Sequence, residues 1–168
     1  MVTRRRVLGA GAAFVAVSVV GGAFVLRLDD PAPGARLLSL RELAIVRAIG
    51  EVLLPAGAFP IHGGDPSVVA EVDRVVEQVL DPLHARGFRY LLRSFEFGTL
   101  TGQHAVFSSL SLEERREVIQ IWADPSVLPR RIGWEAIRAV MGMAYFSRPE
   151  VTAAMGWRSI CGGSGGTP

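Results

Sequence analysis

The residues of this sequence that could do chemistry are few and widely spaced. Its three histidines, His62, His84 and His104, are 22 and 20 residues apart. None stands in the HExxH pattern that places two zinc ligands and a general base on one helix. The acid pair Glu113–Glu114, followed by two arginines, is typical of a solvated first helical turn with ion pairs. We therefore expect ordinary surface histidines, with no catalytic residue and no metal ligand.

The glycine-rich stretches do not match a cofactor-binding loop. GGDPS at 63–67 and GGSGG at 162–166 lack the lysine of a P-loop, and neither follows a predicted strand. GxGxxG is absent from the sequence, so we expect no flavin or NAD on a dinucleotide fold of this chain. Cys161 is the only cysteine, which excludes an internal disulfide and a CxxCH haem site. A free thiol is favoured over a bond to another chain.

The N-terminal residues predict export. Residues 7–26 are twenty uncharged, mostly apolar residues that follow three arginines, the order found in export signals. TRRRVL resembles the twin-arginine motif, with Arg4 and Arg5 as the pair and Val7 and Leu8 as the apolar residues after it. On this interpretation, the Tat translocase exports the folded chain to the periplasm or to the periplasmic face of the inner membrane. The alternative is a plain membrane anchor, because twenty apolar residues are about enough to span a bilayer.

Positive charge is concentrated at this end of the chain. Residues 1–28 hold four arginines and no acid, whereas the remainder holds 14 arginines and 16 acids. No arginine-rich stripe repeats along the body, so nucleic acid is not an expected partner. The best small-x-small cleavage site is GGA at 21–23. Whether residues 1–28 are removed as a signal or kept as an anchor stays open.

The rest of the chain predicts a single all-α domain of five or six helices over residues 39–158. Apolar residues recur there every three or four positions, and no hairpin turn interrupts them. A long helix is expected to end near Phe146, and a short last helix to end at Gly156. Residues 29–38 are predicted as a linker and residues 159–168 as a flexible glycine-rich tail. Four helix starts carry capping signals, namely the capping boxes Ser39–Glu42 and Ser111–Glu114 and the Asp–Pro pairs at Asp65 and Asp81.

Aromatic residues are concentrated in the last third of the chain. Tyr145 and Phe146 end the long predicted helix, and Trp157 follows the expected Gly156 cap. Some of these side chains belong to a core. A tryptophan just beyond a helix end is also typical of an anchor for a partner, so Tyr145, Phe146 and Trp157 are our candidates for a partner interface.

Four blocks of the sequence resemble the gluconate 2-dehydrogenase subunit 3 family. They are LSLRELAIVRAIGEVLLP, GGDPSVVAEVDRVV with its acid Asp73, FSSLSLEERREVIQIW and AYFSRPEVTAAMGW. In this order they cover most of residues 37–158. The N-terminal residues 1–28, which we call the leader, agree with the resemblance. The tail RSICGGSGGTP matches no part of the family pattern.

The resemblance implies a non-catalytic small subunit that binds no cofactor itself. Its partner would be a large FAD-dependent dehydrogenase subunit of the glucose–methanol–choline type, together with a multihaem cytochrome c. The small subunit would support folding, Tat co-export and stability of the large one. The alternative is a stand-alone, membrane-anchored helical envelope protein that binds another partner.

Overall fold

The regular structure of this chain is helical throughout the part described by the computed structural model, residues 29–57, 59–100, 102–124 and 126–156. This confirms the predicted all-α class. A short 3₁₀ turn, Phe107–Ser109, lies between the third and fourth helices. The α-helices are α1 (Leu40–Leu53), α2 (Pro66–Gln78), α3 (Pro82–Phe97), α4 (Leu112–Ala123), α5 (Leu128–Phe146) and α6 (Pro149–Ala154).

The first four helices begin at the capping residues that the sequence predicts. The Ser39 hydroxyl accepts from the Glu42 N–H at 3.3 Å, and the Glu42 carboxylate accepts from the Ser39 N–H at 2.8 Å. Ser111 and Glu114 repeat this capping box at α4. At α2 and α3 an aspartate carboxylate accepts from backbone N–H groups of the first turn, with a proline as the first helical residue. Each cap satisfies donors that lack a partner within the helix.

The core is organised around α1, which contacts α2, α3, α4 and the 3₁₀ turn. Its inner face places Ile45, Val46 and Ile49 completely out of solvent. Helix α5 closes the opposite side of α2, and this is the most extensive helix pair. Burying each of these aliphatic side chains contributes about 1.5–3 kcal/mol, so α1 and α2 are stabilised mainly by tertiary packing.

Residues 29–38, which composition predicts as a linker, form a tight turn that packs on the helices. The Ala32 N–H donates to the Leu38 carbonyl at 2.9 Å, and Gly34 adopts a φ of +81° within the turn. Leu38 is completely buried in the main core. We call residues 29–38 the lead-in segment, because it connects the N-terminal residues to α1.

Two backbones come into contact at the end of α1. A Cβ atom placed on Gly50 would lie 2.1 Å from the Gly63 carbonyl oxygen, and one placed on Gly63 would lie 2.6 Å from the Gly50 oxygen. The Gly63 N–H also donates to the Leu54 carbonyl at 2.8 Å. The loop before α2 can therefore lie against α1 only because both positions lack a side chain.

We predict that Gly50→Ala lowers the free energy of unfolding by about 1–3 kcal/mol or more, because the new methyl group meets backbone that cannot move aside. Gly87→Ala is the matched control. Gly87 lies within α3, and a Cβ atom added there would meet no atom within 4 Å, so alanine should stabilise by about 0.5–1 kcal/mol. Urea denaturation followed by circular dichroism measures both changes, and equal effects would contradict the close contact.

Candidate functional site

A groove lies between the outer faces of α1 and α2 in the described part of the chain. Its volume is about 950 Å³, the size of a typical ligand or peptide site. Small and apolar side chains form its floor, and arginines stand around its rim. The lead-in segment closes one end. The lining includes Arg36, Leu40, Leu43, Ala44, Arg47, Ala48, Glu51, Val69, Ala70, Glu71, Asp73, Arg74, Arg115 and Arg148.

Most of the charge in this groove is neutralised within the chain. The Glu51 carboxylate is 2.6 Å from the Arg115 guanidinium and 3.9 Å from that of Arg47. Glu71 accepts from Arg74 on the same helix. Of these pairs, Arg115–Glu51 joins two helices, and each of the others lies within one helix.

Arg115 differs from its expected role. The sequence placed it in a solvated helical turn, and its neighbour Arg116 does pair with Glu113 at 2.8 Å on the surface. Arg115 instead reaches away from its own helix to Glu51 of α1, and it donates to the Ser108 carbonyl at 2.9 Å. The expectation was wrong for Arg115 because a long guanidinium side chain can bridge two helices, which spacing along one helix does not reveal.

A buried carboxylate holds the lead-in segment on the body. Asp73 of α2 is 3% exposed and accepts from the backbone N–H groups of Arg36, Leu37 and Leu38 at 2.6, 3.1 and 2.7 Å. Hydrogen bonds to an ionised acceptor contribute more than neutral ones. Asp73 is the acid of the second sequence block, and the structure gives it a positioning role.

A second buried cluster joins α1, α3 and the lead-in segment. Glu42 is completely buried, and both of its oxygens lie 3.0 Å from Nε of Arg89, with Nε of Arg93 at 3.4 Å. The Arg89 guanidinium also donates to the Asp29 carbonyl at 2.6 Å, and that of Arg93 to the Asp29 carboxylate at 2.9 Å. The sequence pattern indicated Glu42 only as a cap, and neither arginine was predicted. Their signal was available, since two arginines four residues apart lie on the apolar face of α3.

The outer face of α5 carries a row of apolar residues along its whole length. Its inner face packs in the core through Ile137, Val140, Met141 and Ala144. The opposite side carries exposed apolar residues spaced three or four apart, which places them in one row. We call this row the α5 stripe: Leu128, Ile132, Ala136, Ala139, Met143 and Phe146.

Two of the predicted interface residues, Tyr145 and Phe146, differ in their exposure to solvent. Tyr145 is 1% exposed, and its hydroxyl donates to the Ile61 carbonyl at 2.7 Å. Burial raises the pKa of Tyr145, so it remains a hydrogen-bond donor. Phe146 is 42% exposed at the end of the α5 stripe and stacks edge-on against Phe59. Trp157 lies outside the described residues, as do the export residues Arg4, Arg5, Val7 and Leu8 and the thiol of Cys161.

The histidines lie at separate points on the fold. His62 accepts from the Gly64 N–H at 3.1 Å, and His84 contacts the Asp81 cap of α3. His104 is exposed with a φ of +56°. Within the described ranges, no cluster of three or more His, Cys, Asp or Glu side chains is arranged to hold a metal ion. None of the described helices is long and apolar enough to cross a membrane.

A family model described as gluconate 2-dehydrogenase subunit 3 matches residues 41–163. The chain belongs to this family. The match starts in α1 and extends past α6, so it covers the helical body described above. It confirms the resemblance carried by the four sequence blocks. Neither the curated proteins nor the solved structures compared with the chain give a significant match.

Membership of the gluconate 2-dehydrogenase subunit 3 family raises the question of which exposed surface contacts another chain. The family is described as a subunit of a dehydrogenase, and subunits carry surfaces that other chains cover. The arginines of the groove are paired with acids of this chain, whereas the α5 stripe has no covering contact from the described part of this chain. The stripe is therefore the candidate interface.

We predict that Arg93→Ala lowers the free energy of unfolding by about 3–5 kcal/mol, because it leaves part of the buried Glu42 charge uncompensated. Arg116→Ala removes an exposed ion pair and should change it by about 1 kcal/mol or less. Guanidinium denaturation of the two variants gives the comparison. A small effect of Arg93→Ala would mean that Arg93 is not needed to compensate the charge of Glu42.

Glu71 makes the stability of the fold depend on pH. Hydrogen bonds from Arg74 and from Ser147 of the α5–α6 junction lower the pKa of this carboxyl below its ordinary value of 4.5. The unfolded chain therefore takes up the proton first, and the stabilisation is lost as the pH falls through the folded pKa. Glu71→Gln should lower stability at pH 7 and flatten the loss of stability below about pH 4.5. Thermal melts from pH 7 to pH 3 test this, and an unchanged acid slope would contradict it.

Proposed function

We propose that this chain is the non-catalytic small subunit of an exported, flavin-dependent sugar or alcohol dehydrogenase complex. In this role it supports the folding, stability and Tat co-export of the large catalytic subunit. The observation that carries the proposal is the family match over residues 41–163. FAD would be bound by the large subunit, and haem c by a multihaem cytochrome as a third subunit.

The structure supports a binding role through the way it uses its polar side chains. Glu42, Asp73 and Glu51 are each engaged by arginines or backbone N–H groups of the same chain. These contacts hold the helices and the lead-in segment in place. The α5 stripe remains as exposed apolar surface, as expected of a subunit that contributes by association.

The leader supports the export part of the proposal. Arg4 and Arg5 stand in a twin-arginine pattern, and the Tat route carries folded proteins. Buried arginines of α3 hold Asp29, immediately after the leader, so the leader is joined to a folded body at a fixed point. We propose that a large subunit bound to this body reaches the periplasm with it.

The leader tests this proposal. The double substitution Arg4→Lys and Arg5→Lys should hold both the small subunit and a co-expressed large flavoprotein subunit in the cytoplasm. Periplasmic dehydrogenase activity should fall at least tenfold. Arg6→Lys is the matched control, because Arg6 occupies the variable position of the motif and its change should leave export intact. Fractionation, immunoblotting and dye-linked activity measure the outcome.

A second candidate function rests on residues 7–26, whose length suits a simple membrane anchor. A stand-alone envelope protein of this kind would insert normally with lysines at positions 4 and 5. It would also be recovered from its own cells without a flavoprotein. That pair of results would favour the anchor and reject the co-export role.

A further inference from the structure

We propose that the α5 stripe is the surface on which the large flavoprotein subunit docks. This inference rests on the proposed function, because it assigns a place on this chain to that partner. It adds a defined set of residues from Leu128 to Phe146. Only the last of them was a candidate from sequence.

The stripe has the dimensions of a helix-packing surface. Helix α5 has 19 residues, which corresponds to a length of about 28 Å. The four large side chains of the stripe are between 42% and 61% exposed. The two alanines between them, Ala136 and Ala139, leave a shallow depression into which side chains of another chain can pack.

A continuous apolar row on the outer face is unusual on a helix that already buries its inner face. A surface helix of a monomeric protein normally carries polar residues opposite the core, and a helix that is apolar on both sides is normally buried. Within the described structure nothing covers the stripe. An exposed apolar row of this kind fits burial by another chain.

The apolar surface continues at the end of the stripe. The Phe59 ring lies 6.3 Å from the Phe146 ring and 6.0 Å from the Tyr145 ring, both edge-on. Phe146 is thus held in place from the side by a loop residue. Aromatic side chains held rigidly in this way lose little conformational entropy on binding and are frequent hot spots of interfaces.

Charge beside the stripe favours a different chain over a symmetric pair of α5 helices from two copies of this one. A polar row borders it, formed by Arg131, Glu135 and Arg138. Glu135 is the only acid of α5 and is paired with Arg138 at 3.1 Å. Arg131 makes no ion pair within the described part of the chain. A second α5 helix offers no free carboxylate to Arg131, whereas a catalytic subunit can supply one at the rim.

The test uses the full chain co-expressed with a large flavoprotein dehydrogenase subunit from the same genome. The variant Ile132→Asp with Met143→Asp places two charges in the stripe. Affinity purification through a tag on the small subunit should recover at least tenfold less flavin absorbance at 450 nm than the unchanged chain. Both side chains are exposed, so the circular dichroism melt of the variant should not change.

Leu83→Asp and Leu40→Asp are matched controls, because both leucines are exposed helical residues away from α5. They should recover the flavoprotein normally. Recovery of the flavoprotein by the stripe variant would overturn the assignment. So would a stripe variant that turns a dimer of this chain into a monomer while the flavoprotein stays bound. If the unchanged chain recovers no flavoprotein, the proposed function itself fails.

A photo-crosslinking amino acid at position 139 gives a second test that does not weaken the interface. It should crosslink the small subunit to the large subunit at least tenfold more efficiently than the same amino acid at position 83. Equal crosslinking at the two positions would place the contact elsewhere. Crosslinks between two small subunits at position 139 would identify a second copy as the occupant.

Discussion

The fold depends on one carboxylate, that of Glu42. It caps α1 through the Ser39 N–H, it accepts from two arginines of α3, and through Arg93 it is linked to Asp29. A completely buried charge is costly unless it is paired and hydrogen-bonded. Pairing this charge therefore requires α1, α3 and the lead-in segment to take their native positions together. Burial of the apolar core stabilises the fold, and the need to pair Glu42 favours this arrangement of the helices over others.

Helix boundaries and helix partners differ in how far sequence predicts them. A cap such as Ser39–Glu42 or Asp65–Pro66 depends on residues within one turn, so the sequence contains the whole interaction. The contact of Arg115 with Glu51 joins residues 64 positions apart, and its choice depends on how α1 and α4 pack. Asp73 shows the same limit, because its partners are backbone N–H groups of a segment whose composition resembles a linker. Local interactions were predicted, and long-range polar ones were not.

The candidate interface shows the same distinction on one helix. Sequence placed Tyr145 and Phe146 together as aromatic candidates, although adjacent helical residues point about 100° apart. Packing against α2 decides that Tyr145 faces inward and Phe146 outward. The rest of the α5 stripe was readable in principle, since its three- and four-residue spacing is regular. It was obscured because the inner face of α5 has the same periodicity, and only the fold distinguishes the two sides.

The ring of Phe59 contacts both the inward Tyr145 and the outward Phe146, and Tyr145 also holds the backbone of the same loop at Ile61. Any molecule that binds Phe146 therefore bears on the loop between α1 and α2 as well. Binding at Phe146 is in this way linked to the order of the loop that contains Phe59 and Ile61. An occupied α5 should slow amide hydrogen exchange in residues 59–64, so the exchange of this loop reports on assembly.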